Sequence, residues 1–151
     1  MKYEIVNLEE KTVAGLTART NNLAPDSQMI IGGLWQRFYG EGIYESLKGK
    51  VNDKALGIYT EYAGDHTCDY TVMIACETDK MCIQPENIAV KKIPGGKYAK
   101  FVMKGNMHKI VADFWQQLWQ MDLPRAFTSD FEEYQNADME QAEVHFYISL
   151  L

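Results

Sequence analysis

The chain has 151 residues, 46% of them hydrophobic and 24% charged, with a net charge of −6 and a pI near 5.0. That is one domain by length, with enough apolar material for its own core, so a disordered tail, a collagen and a disulfide scaffold are all excluded. The acidic balance argues against direct nucleic-acid binding, whose footprint is a basic surface, and favours neutral or cationic partners.

The chain opens on a strand over residues 3–8, with no apolar run of signal-peptide type. A second strand covers residues 11–20, rich in β-branched and small residues. After a polar loop, Pro25-Asp26-Ser27 marks a helix start. Ile30, Ile31, Leu34, Trp35 and Phe38 then follow at helical spacing. Gly40-Glu41-Gly42 weakens that helix, and a further turn is predicted at Ile43–Leu47. Lys48–Lys54 reads as a loop. Residues 56–62 and 69–77 read as strands joined by Ala63-Gly64-Asp65.

A polar connector over residues 78–86 precedes strands at 87–93 and 97–104, joined around Pro94-Gly95-Gly96. Asn106 then caps a helix with apolar positions Met107, Ile110, Val111, Phe114, Leu118 and Met121, and Leu123-Pro124 stops it. The last strands are 127–134 and 142–150. No stretch approaches the ~20 apolar residues that cross a bilayer. Cys68, Cys76 and Cys82 form an odd set without CxxC spacing, which points to reduced thiols and a cytoplasmic setting. No spacing supports a metal site, and no cofactor is expected.

The order β-β-α-β-β occurs twice, so the expected fold is α+β: a tandem repeat with pseudo-two-fold symmetry, antiparallel sheets and two helices. Residues match as well as elements. Leu8-Glu9-Glu10-Lys11-Thr12-Val13-Ala14 aligns with Ile93-Pro94-Gly95-Gly96-Lys97-Tyr98-Ala99. Leu34-Trp35-Gln36-Arg37-Phe38-Tyr39 aligns with Phe114-Trp115-Gln116-Gln117-Leu118-Trp119. Leu56-Gly57-Ile58-Tyr59 aligns with Phe131-Glu132-Glu133-Tyr134. The halves, about 1–84 and 85–151, are each too small to bury a full core. They are therefore expected to form a single domain over residues 1–151, with a ligand cleft at the axis between them.

These motifs, with Trp115-x-x-x-Trp119, Leu123-Pro124 and the closing Glu143-Val144-His145-Phe146-Tyr147-Ile148, resemble the GyrI-like, or AraC-type, effector-binding domain over essentially the whole chain. Ser149 stands where that family commonly has Pro. The resemblance implies a small-molecule binding domain of the kind found in multidrug-responsive regulators. Here the first strand starts too early to leave room for a DNA-binding segment, so a standalone member is expected, as a monomer or weak dimer. Its partners would be a small apolar or cationic ligand and, among proteins, a separate regulator or gyrase. Inhibition of gyrase and hydrolysis of reactive natural products are the alternatives.

Strand alternation places Glu132, Tyr134, His145 and Tyr147 on one face, with Gly57, Tyr59, Thr71 and Met73 as the first-half set. Val144, Phe146, Ile148 and Leu150 should face the core. On its own Glu132 reads as a solvated strand carboxylate; the resemblance instead implies a place at the base of a ligand pocket. Trp35 and Trp115 are repeat equivalents that both flank the apolar helical stripe, and Trp115 reads first as core packing. Trp119, one turn further, and its counterpart Tyr39 should edge a cleft. The expected ligand-binding set is Glu132, Trp35, Tyr39, Tyr59, Trp115, Trp119 and Tyr147, with no catalytic residue. Hydrolysis would favour a second acid or base beside Glu132, and the repeat-equivalent position is Gly57.

Overall fold

The computed structural model describes residues 1–151. The elements in chain order are β1 (Glu4–Leu8), β2 (Lys11–Thr20), α1 (Ser27–Gly40), the short α2 (Ile43–Ser46), β3 (Leu56–Thr60), β4 (Tyr70–Glu77), β5 (Ala89–Ile93), β6 (Gly96–Gly105), α3 (Met107–Trp119), β7 (Ser129–Tyr134) and β8 (Ala142–Ser149). The doubled β-β-α-β-β pattern is present, with α2 as the extra turn after the first helix. Asn106 caps α3 as expected, its side chain accepting from the Lys109 N–H. Asp26 occupies the cap position of α1 without a side-chain hydrogen bond. Phe127 sits at φ 54° outside β7, which is why the strand starts later than alternation suggests.

The eight strands form one continuous antiparallel sheet in the order β1-β6-β8-β7-β3-β4-β2-β5, rather than one small sheet per half. The halves exchange their first strands: β1 pairs with β6 of the second half, and β5 pairs with β2 of the first. Swapping repeat-equivalent strands reverses this order onto itself, so the pseudo-two-fold axis runs between β3 and β7. On that ladder Gly57 pairs with Glu132, the same two residues that the repeat makes equivalent. The β1–β2 and β5–β6 connections meet in a corner where Leu8 pairs with Gly96 and Lys11 with Ile93. A Cβ on Gly95 would lie 2.9 Å from the Leu8 carbonyl oxygen, so this crossing needs glycine.

Both faces of the curled sheet are covered. On one face α1 lies on β2 and β4, burying Leu34 and Phe38 against Leu16, Val72 and Ile74. On the same face α3 lies on β6 and β8, burying Ile110, Phe114 and Leu118 against Phe101, Val144, Phe146 and Ile148. The other face curls on itself and packs strand against strand, joining Val13, Ile58, Met73, Ile93, Tyr98, Phe131 and Tyr147. The two helices leave the central β3–β7 pair between them, and that pair floors a cleft.

Candidate functional site

Register decides which side chains reach the cleft. Paired residues of antiparallel strands share a face. Glu132 pairs with Gly57 on one side and Phe146 on the other, so its face is the helix-bearing one. Tyr59 and Tyr134 lie two residues away on the same face.

Glu132 is buried, with 1% of its surface exposed. Its Oε1 accepts from the Trp115 indole N–H at 2.7 Å and from the Tyr59 hydroxyl at 2.9 Å. Its Oε2 accepts from the Tyr134 hydroxyl. The two tyrosines are repeat equivalents, so one carboxylate on the axis takes a hydroxyl from each half. Gly57 makes the space, because a Cβ there would lie 2.9 Å from Oε2. The partners are all neutral donors. Burial pushes the Glu132 carboxyl above the usual carboxylate range, while the three hydrogen bonds pull it back down. Burial and the adjacent carboxylate raise the Tyr59 and Tyr134 hydroxyls well above 10, so both remain protonated donors.

Above this carboxylate lies a cleft of about 1050 Å³ between α1, α3 and the loops after β3 and β7. Trp35, Tyr39, Tyr59, Trp115, Trp119 and Tyr134 contribute aromatic rings to its wall. Trp35 meets Tyr134 edge-on at 5.2 Å, and Tyr59 meets Trp115 at 4.9 Å. At one rim Trp119 stacks on His66, with centroids 5.7 Å apart and planes 10° off parallel. This stack ties α3 to the loop between β3 and β4 across the two halves. Gly32 on α1 also lines the cleft, with open space where a side chain would stand.

Six of the seven residues expected from sequence therefore converge: Trp35, Tyr39, Tyr59, Trp115 and Trp119 line the cleft, and Glu132 lies beneath its floor. Trp115, read first as core packing, both lines the cleft and holds the carboxylate. Tyr147 is a correction. It pairs with Phe131 and stacks on that ring at 4.7 Å, on the strand-only face away from Glu132. His145 lies on that same far face, beside Glu143 at 2.7 Å, and Thr71 and Met73 follow because Met73 pairs with Ile58. The cause is that α3 covers the Val144, Phe146 and Ile148 side of β8, so the apolar and carboxylate sets share one face. Arg125, Asp130 and Tyr62 were not expected. Asp130, two residues before Glu132, is fully buried and accepts from Arg125 Nη2, from the Tyr62 hydroxyl and from both the N–H and the hydroxyl of Ser149. The signal for it was available, since Asp130 precedes Glu132 by one strand repeat.

No curated protein sequence matches the chain. Among solved structures, the integron cassette protein from Vibrio cholerae superposes with a TM-score of 0.80 at 28% identity, over 99% of this chain and 95% of that one. The protein SAV2435 bound to tetraphenylphosphonium gives a TM-score of 0.78 at 23% identity, over 98% and 93% of the two chains. A putative transcription regulation protein from Staphylococcus aureus MU50 gives 0.72 at 23%, over 99% of each. These likenesses establish the GyrI-like fold. The family model of the integron-associated effector binding proteins matches residues 4–150, and the chain belongs to that effector-binding family, Cass2.

Proposed function

We propose that the chain is a binding protein for small apolar organic cations, which enter the cleft between α1 and α3. The observation that carries this reading is a fully buried carboxylate held only by neutral donors, beneath a wall of aromatic rings. A buried charge without a counter-ion is costly, and a cation in the cleft offsets that cost. The rings add cation–π attraction of ~0.5–2 kcal/mol per good contact. Tyr59, Tyr134 and Trp115 each point their polar hydrogen at the carboxylate, and all three residues line the cleft.

What supports binding over hydrolysis is the same geometry. A general base must reach the substrate's proton, whereas Glu132 is 1% exposed and three of its four lone-pair sites already accept from fixed donors. A role in sequestering or sensing such ligands follows from this reading, with a separate regulator as the candidate protein partner. The experiment is a calorimetric titration with tetraphenylphosphonium and with neutral triphenylphosphine oxide. The cation should bind saturably and the neutral compound far more weakly. Equal affinities for both would overturn the reading.

A further inference from the structure

The helical sides of the cleft are one wall built twice. Seven residues of α1 line the cleft, and the seven that line it from α3 are their repeat equivalents, from Ser27 and Met107 through to Tyr39 and Trp119. The ring contacts repeat as well, and each crosses between the halves. Trp35 of the first half meets Tyr134 of the second edge-on at 5.2 Å, and Trp115 of the second meets Tyr59 of the first at 4.9 Å. Both indoles are half-buried. About one turn back from each along its helix stands a small residue, Gly32 or Ala112, which also lines the cleft. The doubling stops at the floor, where Glu132 lies on the axis against Gly57. Its carboxylate takes a hydroxyl from Tyr59 and another from Tyr134, so one charge stands between two matching aromatic walls.

We infer that the cleft selects a two-armed cation, with its charge at the centre of the molecule and an aromatic arm on either side, one for each half; this rests on the cation-binding reading above. With its charge over Glu132, such a guest lays one arm against Trp35 and Gly32 and the other against Trp115 and Ala112. An ion of the same size with its charge at one end reaches only one half from that position and leaves the other wall to water. The cleft, at about 1050 Å³, has room for both arms. Gly32 supports the same picture. It sits inside a regular helix at an ordinary helical φ, and a Cβ there would meet nothing within 4 Å. Neither backbone nor packing calls for glycine, which weakens a helix interior. What its missing side chain provides is space in the cleft beside Trp35.

The test uses the full chain and two isomeric quaternary cations. Dibenzyldimethylammonium carries its charge between two rings, and (biphenyl-4-ylmethyl)trimethylammonium carries both rings on one side of it. Formula and charge are the same, and only the arrangement differs. In calorimetric titrations the two-armed ion should bind the wild-type chain about tenfold more tightly, the scale of one well-placed ring contact to a cation. G32L and A112L each fill the space on one side. Each should weaken the two-armed ion by a similar factor, about tenfold, and the end-charged isomer, which keeps the other half, by less than about threefold. In the wild-type complex, nuclear Overhauser contacts should run from the benzyl protons to both the Trp35 and the Trp115 indoles, a readout that depends on neither variant folding. Equal affinity for the two isomers, an effect confined to one variant, or contacts to one indole only overturns the two-armed guest and leaves the cation reading standing. Failure of both isomers to bind while tetraphenylphosphonium does so has the same consequence. Failure of all three cations overturns both.

Discussion

Gly57 and Glu132 face each other across the β3–β7 ladder and occupy the same position in the two repeats. They therefore sit on the pseudo-two-fold axis, where symmetry would otherwise place two identical side chains in contact. Two glutamates there would repel one another in a buried site. The chain keeps one carboxylate and gives up the other side chain entirely. The loss of symmetry at this single pair allows a charge at the centre of an otherwise doubled structure.

Gly57→Ala should therefore cost stability although the backbone there is ordinary strand. Its Cβ would stand 2.9 Å from Glu132 Oε2 and 3.7 Å from the Trp35 ring. Overpacking of this kind costs about 1–3 kcal/mol. Urea denaturation should show the loss, and cation affinity should fall with it because the carboxylate is displaced from Tyr134.

The raised Glu132 carboxyl has a definite pH signature. Its unfolded value is near 4.5, and burial holds the folded value higher. The folded state therefore retains a proton that the unfolded state has lost, and stability falls as pH rises from about 4.5 through the folded pKa. Glu132→Gln removes this slope. The variant should match or exceed wild-type stability at pH 7, and its advantage should disappear below pH 4.5 in paired thermal melts. Cation affinity of the wild type should fall as pH drops through the same window, since protonation removes the charge. A variant whose advantage is independent of pH would place the cost elsewhere.

Removing one hydroxyl from the carboxylate should weaken the site without dismantling it. Tyr59→Phe leaves Trp115 and Tyr134 in place but deprives Glu132 of one donor. Stability should drop by about 1–3 kcal/mol, and the Glu132 carboxyl should move further up. Tyr147→Phe is the control, because that ring packs against Phe131 on the far face. Its cation affinity should equal that of the wild type within a factor of two.

Trp35, Trp115 and Trp119 all line the cleft, so an occupying ligand should quench tryptophan emission. Trp119→Phe also breaks the stack with His66, and should reduce the quenching amplitude while speeding ligand release in stopped-flow traces. Saturable binding with unchanged emission in both proteins would locate the guest outside this cleft.

Much of this was legible in the sequence because the repeat is written in residues as well as in elements. Aligning Gly57 with Glu132 and Trp35 with Trp115 marked equivalent positions about an expected cleft, while the place of Glu132 at its base came from the family resemblance. What alternation could not supply was the phase between neighbouring strands. β8 is buried on both faces, by Phe146 on one and Tyr147 on the other, so its pattern does not say which side meets Glu132. The register with β7 settles that, and it assigns Phe146. The exchange of β1 and β5 was invisible for a related reason. Both strands are short and half-exposed, and nothing in such a pattern names a partner in the other half. Alternation puts Asp130 on the Glu132 face, but a strand carboxylate and an arginine after a proline both read as solvated until the fold buries them.

Expressed separately, residues 1–84 and 85–151 should each fail to give a cooperative melt or dispersed NMR signals. Each fragment would carry one strand whose partner lies in the other, and would expose half of the strand-only core. A mixture of the two should regain cation binding if they reassociate.

The strand exchange also has a bearing on how the chain is made. β1 leaves the ribosome well before β6, its neighbour in the sheet, which is made only at residues 96–105. Until then β1 is a strand in waiting, and the first half cannot settle its edge. Long-range pairings of this kind slow folding, because the loop must close before the contacts repay it. The sequence of the waiting strand suits that delay: Lys2, Glu4 and Asn7 punctuate Tyr3, Ile5 and Val6, and interspersed polar residues of this sort guard an unpaired edge against aggregation with other nascent chains.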